Sequence, residues 1–288
     1  MYRVDASPRR APRLLALVLA VLALFCGWAA AQARAANYVS LGDSYAAGPL
    51  IPNQSLSPLG CLRSSNNYAH LAAPTIGLPL KDPSCSGAKT NHMTETQNVE
   101  PGPNPPQFNL LNAETTVVTL TIGGNDIGFS EVAQSCITIN PFSTPCKNKY
   151  TAGGKDQLQE RINATAPKVD AVLDGIRVFA PFAKIYVVNY PAIFPETGSG
   201  CWPQMPIGFG DVPYLRQTEK SLNAMLAAQA AANGAKLVDW YKASIGHDAC
   251  KSTSNRWVEP LVPGTAAAPI HPNKAGMQGG ANALIAAL

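Results

Sequence analysis

The chain is 288 residues long, 46% apolar and 14% charged, with a formal net charge of +4. That composition suits one well-buried globular domain with long loops. Arg3, Arg9, Arg10, Arg13 and Arg34 carry the excess charge; without them the rest is near neutral, which excludes a nucleic-acid footprint.

Residues 1–35 read as a secretory signal peptide. A basic stretch ends at Arg9 and Arg10, an apolar core runs from Leu14 to Trp28, and Ala31-Gln-Ala33 and Ala33-Arg-Ala35 both fit a small-x-small cleavage site. The apolar run is short of the ~20 residues that a membrane span needs. Residues 36–288 then form one domain destined for the extracellular space. Setting aside Cys26, the cysteines are Cys61, Cys85, Cys136, Cys146, Cys201 and Cys250, an even set that implies disulfides in an exported chain. Six cysteines allow about fifteen pairings. The simplest is sequential, with each bridge clipping a loop.

The first predicted strand is Tyr38-Val-Ser-Leu-Gly42, which runs into Asp43-Ser44 and a short helix. A Ser where a strand gives way to a helix has its hydroxyl at an open edge, beside free N–H groups and the positive end of the helix dipole. A helix over 67–73 should stop at Pro74. A short strand at Leu78–Leu80 leads to the small-residue turn Cys85-Ser-Gly-Ala88, where backbone can approach a ligand closely. The β-branched run from Thr115 to Ile122 is the strongest strand signal, and it delivers Gly123-Gly-Asn-Asp126 to its carboxyl end. Residues 130–154 read as irregular. A long helix over 158–179 should break or kink at Pro167; a strand over 183–190, a helix over 214–232, a strand over 235–239 and a final helix over 273–288 follow. Strands alternating with helices imply a mostly parallel sheet of about five strands, covered on both faces in a three-layer αβα sandwich.

An ester hydrolase needs a nucleophile, a base and an oxyanion hole. Ser44 is the candidate nucleophile. Of His70, His92, His247 and His271, only His271 stands just before the last helix, with Pro272 holding it extended. His247, beside Asp248, is the rival base. Asn125 through its side-chain amide, and Gly87 and Ser44 through their N–H groups, could together bind an oxyanion.

Gly42-Asp-Ser44, Gly87, Gly124-Asn125-Asp126 and His271 together resemble the four motif blocks of the SGNH (GDSL) hydrolases, in the family's order and over nearly all of residues 36–288. Gly-x-Ser-x-Gly is absent, since Ala46 replaces the second Gly, which argues against the larger α/β-hydrolase fold. The three sequential cystine loops also look like the secreted actinobacterial branch of GDSL lipases and esterases. The resemblance implies a flavodoxin-like sheet and a secreted serine esterase or lipase that forms an acyl-enzyme on Ser44 and uses no metal or cofactor. The family's usual Asp three residues before the His is here Ala268. The expected orienting group is therefore a backbone carbonyl, that of Ala268 or else of Pro269, with Asp248 and Glu259 as alternative carboxylates. Trp202, Phe209 and Trp257 offer either an acyl-binding surface or packing for the disulfide loops. Phospholipase, polysaccharide deacetylase and non-catalytic lipid or cell-wall binding are the rival readings. The expected protein is a monomer whose partners are an ester or lipid substrate and, transiently, a lipid interface.

Overall fold

In the computed structural model, residues 1–3 and 35–288 are described. The leader expected over 1–35 lies, apart from its ends, outside the described residues. In chain order the main elements are β1 (Asn37–Gly42), α1 (Ser44–Ala47), α2 (Tyr68–Ile76), β2 (Leu80–Lys81), β3 (Thr115–Thr121), α3 (Phe129–Ser135), α4 (Pro145–Tyr150), α5 (Gln157–Phe179), β4 (Lys184–Val188), α6 (Asp211–Ala232), β5 (Lys236–Val238), α7 (Trp240–Ala243) and α8 (Lys274–Ala287). The five strands lie in the order β2-β1-β3-β4-β5, and every pairing is parallel.

Alternation along the strands builds the three layers. Tyr38, Tyr186, Val188 and Val238 pack to one side with Tyr68 and Ala72 of α2 and Met277 and Leu284 of α8. Val39, Leu41, Val118, Leu120, Ile185 and Val187 pack to the other side with Val169 and Leu173 of α5 and Leu222 and Leu226 of α6. Residues two apart on a strand share a face, so these runs fill both cores. The order reverses between β1 and β3, and the crevice at the carboxyl ends of such neighbours is where open α/β sheets hold ligands.

Two expected breaks do not occur. Helix α2 runs through Pro74 to a left-handed cap at Gly77, whose N–H bonds to the Ala73 carbonyl. Helix α5 runs unbroken through Pro167. Proline costs a helix one hydrogen bond and crowds the carbonyl four residues back. Pro167 and Asn163 both lie on the exposed side of α5, so the orphaned Asn163 carbonyl faces water. The stretch over 130–154, expected to be irregular, is so over 136–144 but is flanked there by α3 and α4. The disulfides are sequential, Cys61–Cys85, Cys136–Cys146 and Cys201–Cys250.

Candidate active site

Ser44 is the first residue of α1, directly after β1. Asp43 caps that helix, its Oδ1 accepting the Tyr45 N–H at 2.9 Å. The turn is possible because Gly42 has no side chain: a Cβ there would meet the Thr121 carbonyl at 2.7 Å and the Ala46 Cβ at 2.8 Å. Gln107, fully buried, clamps the same glycine, accepting its N–H and donating to its carbonyl, both at 2.8 Å. Two hydrogen bonds to the backbone of one residue mimic a neighbouring strand and fix the direction in which Ser44 leaves the sheet.

His271 arrives from the other end of the chain. Its Nε2 stands 2.8 Å from Ser44 Oγ, and its Nδ1 is 2.7 Å from the Pro269 carbonyl oxygen. A carbonyl only accepts, so Nδ1 carries the proton, and the neutral ring presents the Nε2 lone pair to the hydroxyl. Burial lowers the pKa of His271 from its ordinary value, while the Pro269 carbonyl pulls the other way.

The expectation for Ala268 is corrected. The Ala268 carbonyl accepts the backbone N–H of His271 at 3.2 Å rather than the ring N–H. The reason lies in Ile270, a β-branched residue with φ of +55°. This left-handed turn folds the imidazole back over the carbonyl two residues before it. Such backbone is costly for an Ile and persists only where the surroundings fix it. Here the Tyr45 hydroxyl donates to the Ile270 carbonyl at 2.6 Å, and the Ile270 N–H donates to Glu259 O at 3.0 Å. The Tyr45 ring also packs against the imidazole, with centroids 4.9 Å apart. Pro272 lies just before α8, and Asn273 caps that helix by accepting the Gly276 N–H.

Neither candidate carboxylate meets the imidazole. Glu259 accepts from Arg256, Gly264, Thr265 and Asn273. Burial alone would raise its pKa, but those hydrogen bonds outweigh burial and hold it at about 2. Asp248 caps its own turn at the Cys250 N–H and faces Lys251. His247, the rival base, lies stacked on Trp257 with centroids 4.3 Å apart. His70 faces Asn67 and Asp82, and His92 accepts from the Lys89 N–H.

The segments carrying Gly87 and Asn125 are stitched together. Asn125 Nδ2 donates to the Ala88 carbonyl at 2.9 Å, and Asp126 accepts from the N–H and hydroxyl of Thr90. One Asn125 N–H remains for a ligand. Among the described residues, the Ser44 and Gly87 N–H groups donate to no backbone carbonyl. Gly87 sits at φ of +79°, a region that favours glycine.

Ser44, Asn125 and His271 line one cavity; Gly87 does not. Its walls are apolar, with Ile127, Val132, Ile193, Met205, Ile207 and Leu215 among them. Trp202, Phe209 and Trp257 are not among its lining. Trp257 packs on His247, Phe209 on Phe142, and Trp202 bonds to the Thr138 carbonyl, so these aromatics pack loops.

Sequence reasoning missed the group that ties the two loops behind Ser44. The Tyr190 hydroxyl donates to Asp43 Oδ2 at 2.6 Å and accepts the Gly124 N–H at 2.8 Å. It follows β4 in a Tyr-Pro pair, a strand-end signal that names no role. Asp43 is wholly enclosed; burial raises its pKa from 3.8 to about 7 against the hydrogen bonds from Tyr190 and Tyr45.

Comparison with known proteins agrees with this architecture. Residues 40–278 match the model of the GDSL-like Lipase/Acylhydrolase family. Lipase 2 of Streptomyces coelicolor is 38% identical over 277 residues, 91% of this chain and 92% of that protein. The crystal structure of phospholipase A1 from Streptomyces albidoflavus NA297 superposes with a TM-score of 0.75 at 26% identity, covering 88% of this chain and 100% of that one. The extracellular lipase of Streptomyces rimosus gives a TM-score of 0.69 at 26% identity over the same shares. With its parallel sheet and the motif residues at its strand ends, this chain belongs to the GDSL-like lipase/acylhydrolase family and is a carboxylic ester hydrolase.

Proposed function

We propose that the protein is a secreted serine lipase or esterase that works through an acyl-enzyme. The observation that carries this reading is the 2.8 Å approach of His271 Nε2 to Ser44 Oγ at the mouth of an apolar cavity. His271 takes the hydroxyl proton as Ser44 Oγ bonds to the acyl carbon, and the imidazolium then protonates the departing alcohol. The Ser44 N–H, the Gly87 N–H and the free Asn125 N–H hold the tetrahedral oxyanion. Water, deprotonated by the same imidazole, attacks the acyl-enzyme and releases the acid. The Pro269 carbonyl holds the tautomer in place of a carboxylate. It is a dipole, so it stabilises the imidazolium less than a charged partner does.

The long apolar wall favours acyl chains over acetate, which argues against a polysaccharide deacetylase. The similarity to a phospholipase A1 structure keeps phospholipids among the substrates. Ile139 (94% exposed) and Phe142 (83% exposed) lie on the loop bridged at Ile137 to Ile207 of the cavity wall. They would meet a lipid surface beside the entrance. The three disulfides and the similarity to an extracellular lipase support export, with 1–35 as the leader and 36–288 as the working domain. All the proposed catalytic groups come from one chain, in keeping with a monomer.

Labelling by a fluorophosphonate probe tests the reading. The wild-type protein should be modified at Ser44 and the Ser44→Ala variant should not. A folded wild-type protein that neither labels nor cleaves nitrophenyl esters would favour the binding-only alternative.

A further inference from the structure

The polar groups that line the cavity nearly all have tasks. Ser44, His271 and Asn125 face the reaction. Tyr45 donates to the Ile270 carbonyl, Tyr190 to Asp43, and Thr218 to the Tyr214 carbonyl. Ser130 is exposed. The remaining one is Glu219 of α6, which is buried at 5% exposure among the apolar walls.

Its Oε1 accepts the Ile193 N–H at 2.9 Å, whereas Oε2 is buried and has no hydrogen-bond partner among the described residues. The Phe194 N–H faces the carboxyl and favours its charged form, but makes no hydrogen bond of normal geometry with Oε2. Lys220, the adjacent cation, is engaged by Glu196 at 2.8 Å. Burial dominates and raises the pKa of Glu219 from 4.5 to about 8. At neutral pH the group is therefore mostly a neutral acid, able both to donate and to accept. A neutral acid buried with one oxygen idle is a poor filler for an apolar wall, because an unmade hydrogen bond is expensive there. Leucine would carry no idle oxygen, although it would leave the Ile193 N–H unpaired.

We infer that Glu219 determines specificity within the acyl cavity: its idle oxygen hydrogen-bonds an oxygen carried by the acyl chain, so the preferred esters are those of hydroxy- or oxo-substituted acids. This rests on the serine hydrolase reading above. A hydroxyl entering an otherwise apolar cavity loses its water partners, and Glu219 is the group that can replace them. A site that hydrogen-bonds a substrate oxygen also discriminates against the analogue lacking it.

The test compares kcat/KM on nitrophenyl decanoate with kcat/KM on a series of its monohydroxylated counterparts, the hydroxyl moved carbon by carbon. Wild type, Glu219→Gln and Glu219→Leu are measured at neutral pH, and the hydroxy-to-plain ratio is read so that any general loss cancels. At the carbon within reach of Glu219, the ratio should be on the order of tenfold higher in wild type than in Glu219→Leu. Glu219→Gln, which keeps an acceptor for Ile193 and supplies an N–H, should stay close to wild type. A ratio equal in wild type and Glu219→Leu at every position overturns the inference and leaves Glu219 as a tether for Ile193. Should Glu219→Leu fail to fold, the wild-type series decides: at least one hydroxylated ester must be cleaved as well as the plain one, and slower cleavage of all of them sinks the idea. Absence of turnover on the plain ester strikes the hydrolase reading itself, and this inference with it.

Discussion

Replacing Asp43 by Asn should shift the stability balance towards the variant as pH rises, although Asp43 caps the helix that begins at Ser44. The sign follows from burial. Asp43 is fully enclosed, and its carboxyl titrates at about 7 in the folded protein against 3.8 when exposed. A carboxyl with a raised folded pKa contributes most at low pH, and its contribution is lost as pH climbs from the unfolded to the folded value. Between about pH 5 and about pH 7 the unfolded chain is already ionised while the folded one must still give up its proton. At ~1.4 kcal/mol per pH unit, this window is worth roughly 2–3 kcal/mol. Asn has the same shape. It keeps an acceptor for the Tyr45 N–H and offers a donor to the Tyr190 oxygen. Whatever the exchange does to those bonds is constant with pH and enters as an offset. The measurement is urea unfolding of both proteins, disulfides intact, at about pH 5 and about pH 8.5. The stability gap should move by roughly 2–3 kcal/mol in the variant's favour on going to the higher pH. A gap that stays constant, or moves the other way, refutes the claim that an enclosed, reluctantly ionised carboxyl sits behind Ser44.

Asn125→Ala should lower kcat by roughly 10²–10³-fold on nitrophenyl esters, as loss of an oxyanion donor does; a change below threefold removes Asn125 from that role. The kcat/KM profile should fall on the acid side with its midpoint below 6.5, because burial lowers the His271 pKa and only the neutral ring is a base; a midpoint above 6.5 contradicts this. Glu259→Gln should cost about 3–5 kcal/mol of stability near neutral pH, since it leaves the Arg256 guanidinium buried without its counter-charge. With Glu259 held at about 2 when folded and 4.5 as its ordinary value, that contribution is present above 4.5 and fades as pH falls towards 2. In the same variant kcat should fall far less than the ~10⁴-fold that loss of a triad Asp brings; a loss of that size would make Glu259 the third member after all.

The sheet and the motif positions were legible because each rests on local chemistry. β-branched runs mark β3 and β4, alternating apolar residues mark β1, and the residues at their carboxyl ends are small or polar wherever the crevice lies. What brings those ends together was not legible. Gln107 reads as one polar residue in a loop, yet its amide pairs with Gly42, 65 residues away. Tyr190 and Glu219 look like an ordinary aromatic and an ordinary helix glutamate until the fold encloses them. The orienting carbonyl was placed first at Ala268 and only second at Pro269, because spacing gives no sign that an Ile will be held in a left-handed turn. Pro74 and Pro167 were expected to end or bend helices. Neither ends its helix, and at Pro167 the carbonyl left without a donor faces water instead. Propensity speaks for a residue alone, and these outcomes belong to its surroundings.

The bond from the Tyr45 hydroxyl to the Ile270 carbonyl joins positions 225 residues apart, one beside Ser44 and the other beside His271. A polypeptide emerging amino end first holds its serine from the outset but gains its imidazole only when the last stretch docks. On the proposed mechanism, the pair that would cleave esters is therefore completed only by the closing event of assembly.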